Sequence, residues 1–239
     1  MADAADFIFL FDVDNTLLDN DRITADLSEY LTLAYGATAR DRYWAIFEQL
    51  RAELGYADYL GALERYRLEA LHDPRILHMA CWLIDYPFAD RVFPGAFDAV
   101  AHVRRWGDPV ILSDGDAVFQ PRKIERSGLW REFEGRVLIY IHKEQELNDV
   151  ERWRPARHYV LIDDKLRILA AIKQAWGDKV TTVFVKQGHY ASDAAALKGL
   201  PPADVEIERI SDLTRCEFSS LAGNPSENSR LGQQAPVSR

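Results

Sequence analysis

Cysteine is scarce in this chain. Of 239 residues only Cys81 and Cys216 carry a thiol, and their separation excludes both a disulfide scaffold and a metal-type spacing. They read as buried thiols in a reducing compartment. Positive charge is also in deficit: 29 Lys and Arg stand against 38 Asp and Glu, a formal net charge of −9. A surface of that sign is unsuited to non-specific nucleic-acid binding or to anionic membranes. No apolar run approaches the ~20 residues that span a bilayer. No basic residue precedes the first apolar stretch, so a secretory signal peptide is not expected. The six histidines form no metal-like cluster and there is no internal repeat. These absences point to a cytoplasmic enzyme with no nucleic-acid and no membrane partner.

With 48% apolar and 28% charged residues, the chain can bury a sizeable core. Short apolar runs ending in polar residues read as buried parallel strands: Phe7 to Phe11, Pro109 to Leu112, Val137 to Ile141, Tyr159 to Ile162 and Val180 to Val185. Val205 to Ile210 reads as a sixth strand, at the edge. Helical patterns separate them, one starting near Pro121 and stopping at Ser127-Gly128, another over Leu166, Leu169, Ile172 and Trp176 before Gly177. Alternation of this kind predicts an α/β fold, a doubly wound and mainly parallel sheet. About 95 residues separate the first two strands, far more than a crossover helix needs. Amphipathic segments around Leu27 to Tyr35, Arg40 to Leu54, Tyr59 to Leu71 and Arg75 to Ile84 fill that interval. The expected organisation is therefore a core over residues 1–20 and 91–218, an inserted α-helical cap over 21–90, and a tail over 219–239. The tail is polar and is expected to be disordered.

Ligands of open parallel sheets bind beyond the carboxyl ends of the strands. Four strands here end in phosphate-capable residues: Asp12-Val13-Asp14-Asn15-Thr16-Leu17, Ser113-Asp114-Gly115-Asp116, His142-Lys143 and Asp163-Asp164-Lys165. Clustered acids at core strand ends repel one another and have no folding purpose. A divalent cation relieves the repulsion, and an all-oxygen donor set favours Mg²⁺.

This ordered set resembles the haloacid dehalogenase superfamily, specifically its phosphatase branch with a helical C1-type cap after the first motif. The resemblance covers about residues 6–215 and implies a Rossmann-like core. By that resemblance Asp12 is the nucleophile, forming an aspartyl-phosphate, and Asp14 is the general acid and then base. The family's dehalogenases and phosphonate-cleaving members lack an acid at the second position, so Asp14 implies phosphoryl chemistry. Ser113, with amides near Asp114 and Gly115, corresponds to the phosphate-binding second motif. Lys143 corresponds to the third-motif lysine, with Lys123 as a rival on the preceding helix. Metal ligation is implied for Asp12, Asp14 through its backbone carbonyl, Asp163 and Asp164, with Asp164 the more direct of the last pair. The implied activity is Mg²⁺-dependent hydrolysis of a small phosphorylated metabolite.

Rival readings are a mutase that passes the phosphoryl group to a second hydroxyl, and a non-catalytic member that binds a partner through its cap. A receiver module shares the residue types but carries its acidic pair after the first strand, the wrong order. In the cap, Tyr43, Trp44, Phe47, Tyr56, Tyr59 and Tyr66 read mainly as packing, with one or two reaching the substrate pocket. Arg22, Arg40 and Arg42 read as solvated charges. Lys186-Gln187-Gly188-His189 follows the fifth strand and is expected at the rim of the site.

Overall fold

In a computed structural model of the chain, residues 5–218 are described; the expected tail, 219–239, lies outside the described residues. Six parallel strands run in the order β3-β2-β1-β4-β5-β6. They are β1 (Ala5–Phe11), β2 (Asp108–Asp114), β3 (Val137–Tyr140), β4 (Ala156–Asp163), β5 (Val180–Val185) and β6 (Val205–Ile207). Alternate side chains of β1 serve opposite faces, as strand geometry requires. Phe7, Phe9 and Phe11 enter one hydrophobic cluster, whereas Ile8 and Leu10 enter the other. Both clusters are covered by helices, which explains why the strands are almost wholly apolar.

Four helices fill the interval after β1: α1 (Asn20–Tyr35), α2 (Ala37–Leu54), α3 (Tyr59–Glu69) and α4 (Ile76–Asp85). Local chemistry sets their ends. Asp19 caps α1 by accepting from the Arg22 amide at 2.9 Å, and Asp58 caps α3 by accepting from the Gly61 amide at 2.7 Å. The two connections to the sheet hydrogen-bond each other, Phe93 N–H to Leu17 O at 2.9 Å and Asp19 N–H to Arg91 O at 2.7 Å. Arg22, Arg40 and Arg42 form surface ion pairs with Asp26, Asp41 and Glu69.

The remaining helices are α5 (Ala96–Val103), α6 (Phe119–Arg126), α7 (Leu129–Glu132), α8 (Leu147–Trp153), α9 (Leu166–Trp176) and the single turns α10 (His189–Ser192) and α11 (Ala194–Leu197). Three expectations are corrected. β3, read as buried and running to Ile141, is a half-buried edge strand ending at Tyr140 with Ile141 exposed. β6 ends at Ile207 rather than Ile210. Cys81 is exposed and Cys216 half-buried, so neither is the buried thiol its scarcity suggested. Cys81 lies on the outer face of α4, whose inner face is Ile76, Met79 and Leu83.

Candidate active site

Strand register assembles the site. Phe11 pairs with Ile111 on one side and Ile162 on the other, so the residues that follow emerge together at the carboxyl edge. Asp12 is 2% exposed, and Asp163 and Asp164 are wholly buried. One oxygen from each of these three carboxylates can be chosen so that all lie within 4.8 Å of one another.

Lys143, also without exposed surface, is the cation inside this group. Its Nζ donates to Asp12 Oδ1 at 2.5 Å and lies 2.7 Å from Asp163 Oδ2. Burial works against its charge, but Asp12, Asp163 and Asp114 outweigh that and hold the ammonium well above its ordinary pKa. The Asp114 carboxylate accepts from the Lys143 backbone amide at 2.9 Å, so this side chain anchors the lysine loop. The Gly115 amide donates to Tyr140 O at 2.9 Å and is engaged within the fold.

Two ammonium groups, Lys143 and Lys165, against three carboxylates leave negative charge in excess. Both oxygens of Asp164 are buried without a hydrogen-bond partner, while Oδ2 of Asp163 has only the Lys143 ammonium. Burial pushes Asp163 up to about 6 against the pull of Lys143, with Asp12 adding to the rise. Burial raises Asp164 well above the ordinary carboxylate range too, opposed by Lys165 and reinforced by Asp163 and Asp12. Orphaned buried carboxylate oxygens are costly, and an all-oxygen trio of this kind fits a hard divalent cation.

Asp14 points elsewhere. Both its oxygens accept from Lys123 Nζ, at 2.7 and 3.0 Å, and Lys123 also donates to Asn20 Oδ1 at 3.2 Å. The two lysines that compete for one role in the sequence thus both enter the site, each with its own carboxylate. Gln120, which sequence reasoning missed, donates to Ser113 Oγ at 2.9 Å and reaches Asp14 at 3.5 Å. Its position one turn before Lys123 on α6 was the available signal.

The loop after β1 is fixed from the far side of the sheet. Asn15 adopts a left-handed φ of 60°, which Asn tolerates better than most residues. Gln187 Nε2 donates to Asn15 O and Thr16 O at 3.2 and 2.9 Å. Gly188 then passes so close that a Cβ there would lie 2.5 Å from Asn15 Cβ. His189 meets Asp21 at 2.5 Å. The segment expected at the rim is therefore also a clasp.

A cavity of about 760 Å³ lies between the helical insertion and the sheet edge. Asp14, Lys123 and Lys165 line it from the core, and Trp44, Phe47 and Tyr59 from the insertion. Tyr43 and Tyr66 take no part in its wall. Lys165 Nζ stands 5.3 Å from the Tyr190 ring centroid. Burial lowers its pKa, but Asp12, Asp164 and Asp163 reverse this and raise it. Gly55 closes α2 against the core; a Cβ there would meet His142 Cε1 at 2.5 Å.

The profile of the haloacid dehalogenase-like hydrolases matches residues 8–199. The chain is 62% identical to a haloacid dehalogenase-like hydrolase of Burkholderia xenovorans LB400, over 88% of this chain and 96% of that one, with a TM-score of 0.85. It shares the fold of the L-2-haloacid dehalogenase of Xanthobacter autotrophicus, at 16% identity and a TM-score of 0.59 over 87% and 96% of the two chains. It likewise resembles the magnesium-bound hydrolase YfnB of Bacillus subtilis, at 17% identity and a TM-score of 0.57 over 88% and 98%. Among curated proteins none matches the chain.

Proposed function

The chain belongs to the haloacid dehalogenase-like hydrolases, and within them we propose that it is a magnesium-dependent phosphatase of small phosphorylated metabolites, acting in the cytoplasm. The observation that carries this reading is the division of labour between two carboxyl groups two residues apart. Asp12 sits in the buried acidic cluster, while Asp14 is held by Lys123 at the wall of the cavity. A departing halide needs no proton, so a dehalogenase has no work for a second carboxyl group there. A departing ester oxygen does need one.

In this reading Asp12 attacks phosphorus, the bond to the ester oxygen breaks, and that oxygen takes a proton from Asp14. Water then attacks the aspartyl-phosphate while giving a proton to Asp14, and inorganic phosphate leaves Asp12. Ser113 and Lys143 receive the phosphoryl oxygens. Bound by Asp12, Asp163, Asp164 and the Asp14 carbonyl, Mg²⁺ supplies charge that offsets the repulsion between nucleophile and phosphate. Asp12 is almost wholly buried, so in this reading phosphate enters with the insertion open, and its closure excludes water during transfer.

The test is release of inorganic phosphate from a panel of phosphorylated metabolites, with Mg²⁺ or EDTA, beside release of chloride from L-2-chloropropionate. Phosphate release that needs Mg²⁺ and is lost in Asp12→Asn is expected. Chloride release that persists in EDTA, with no phosphate from any ester, would overturn the proposal.

A further inference from the structure

Lys123 lies in an unusual place for a lysine. Its side chain is 1% exposed, on a helix whose neighbouring cations Arg122 and Arg126 reach outward to the residues Asp85 and Glu125. Burying an ammonium costs several kcal/mol unless it is fully partnered. Here the partners are complete: the two oxygens of Asp14 and the side-chain oxygen of Asn20 accept from Nζ. The Phe119 ring lies 5.4 Å away.

The contacts continue into the insertion. Asn20, the first residue of α1, donates to Tyr59 Oη at 3.5 Å, and Tyr59 shares a hydrogen bond of 3.2 Å with Thr24. A single polar chain thus runs from α3 through Asn20 and Lys123 to Asp14. Lys143 makes none of these contacts, being committed to Asp12 and Asp163.

We infer that Lys123 is the positioning residue of the leaving-group side of the site, and that it fits the enzyme to phosphate monoesters of aliphatic alcohols. By holding both oxygens of Asp14 it fixes the carboxylate beside the departing oxygen and places positive charge there. One Asp14 oxygen then leaves Nζ, takes a proton from water as substrate binds, and passes that proton to the departing oxygen. When the P–O bond breaks, the electron pair goes to the ester oxygen. An alkoxide carries that charge poorly and needs the proton from Asp14, whereas a nitrophenolate does not. The inference rests on the phosphatase reading above, and orientation effects of this kind are large.

The test compares Lys123→Met with the parent protein on two substrates, p-nitrophenyl phosphate and an alkyl phosphate such as glycerol phosphate, both with Mg²⁺. The expected result is a selective loss. kcat/KM for the alkyl ester falls by about 100-fold or more, and for the aryl ester by less than about fivefold. Lys123→Arg recovers part of the alkyl activity. Retained aryl turnover shows that the variant is folded. Equal losses on both esters, or none on either, would overturn the inference. Should Lys123→Met fail to fold, Asn20→Ala carries the same comparison, with a selective alkyl loss expected and an equal effect overturning it. A parent protein that releases phosphate from neither ester removes the phosphatase reading itself, and the role of Lys123 with it.

Discussion

Asp164→Asn is expected to stabilise the metal-free protein, because the acidic cluster is held together against its own charge. The neighbouring acid shows what such burial costs. Burial pushes Asp163 up to about 6 from an ordinary 3.8, a difference worth about 3 kcal/mol of folding free energy. Asp164 is displaced in the same direction and has no hydrogen-bond partner for either oxygen, so its buried charge is penalised as well. The sign follows from proton counting. Between about pH 4 and pH 6 the folded state binds a proton at Asp163 that the unfolded chain has released, and Asp164 acts in the same direction, so stability falls as pH rises through that window. Asparagine keeps the shape, removes the charge and offers N–H donors to the adjacent carboxylates. Urea unfolding in EDTA should therefore show Asp164→Asn more stable at pH 7.5, by about 1–3 kcal/mol as for relief of an unpartnered buried polar group, the gain shrinking on acidification. Saturating Mg²⁺ should stabilise the parent and do little for the variant. A variant no more stable than the parent at pH 7.5, or a gain that does not change with pH, would refute the reasoning.

Two further substitutions probe the same architecture. Lys143→Met strands Asp12 and Asp163 without their ammonium and should lower stability in EDTA by about 3–5 kcal/mol at pH 7.5. Acidification should partly restore it as the carboxylates take up protons, which urea unfolding at two pH values will show. Gly55→Ala sets a Cβ against the His142 ring at a position whose φ is 81°. It should hinder seating of the insertion and reduce kcat/KM about tenfold with folding intact by circular dichroism.

The sheet was legible because each strand is a short apolar run closed by a polar residue, so Phe7 to Phe11 and Val180 to Val185 could be read directly. A mainly parallel sheet followed from the helices between the strands, whereas the strand order did not. The acids Asp12, Asp163 and Asp164 were legible as a group, since no packing argument explains carboxylates at the ends of buried strands. The role of Lys123 was not. A single sequence shows a helical lysine, and only the packing of α6 against Asn20 and Asp14 reveals that its charge is buried. Gln120 was hidden for the same reason. The clasp of Gln187 and Gly188 on Asn15 spans more than 170 residues of chain, a separation at which local pattern carries no information.

The central place of β1 has a consequence for biosynthesis. The strand that carries Asp12 is made early, yet its neighbours β2 and β4 follow only at Asp108–Asp114 and Ala156–Asp163. At roughly 5–20 residues per second, β1 waits on the order of 10–30 s for its second partner to leave the ribosome. During that interval Phe7-Ile8-Phe9-Leu10-Phe11, apolar and β-forming on both faces, is unsheathed and able to pair with another nascent chain. The helices of residues 20–85 are made of local contacts and can form meanwhile. The insertion that roofs the site in the finished molecule is thus also the first part of the chain able to shelter the strand leading to Asp12, before the sheet exists to do so.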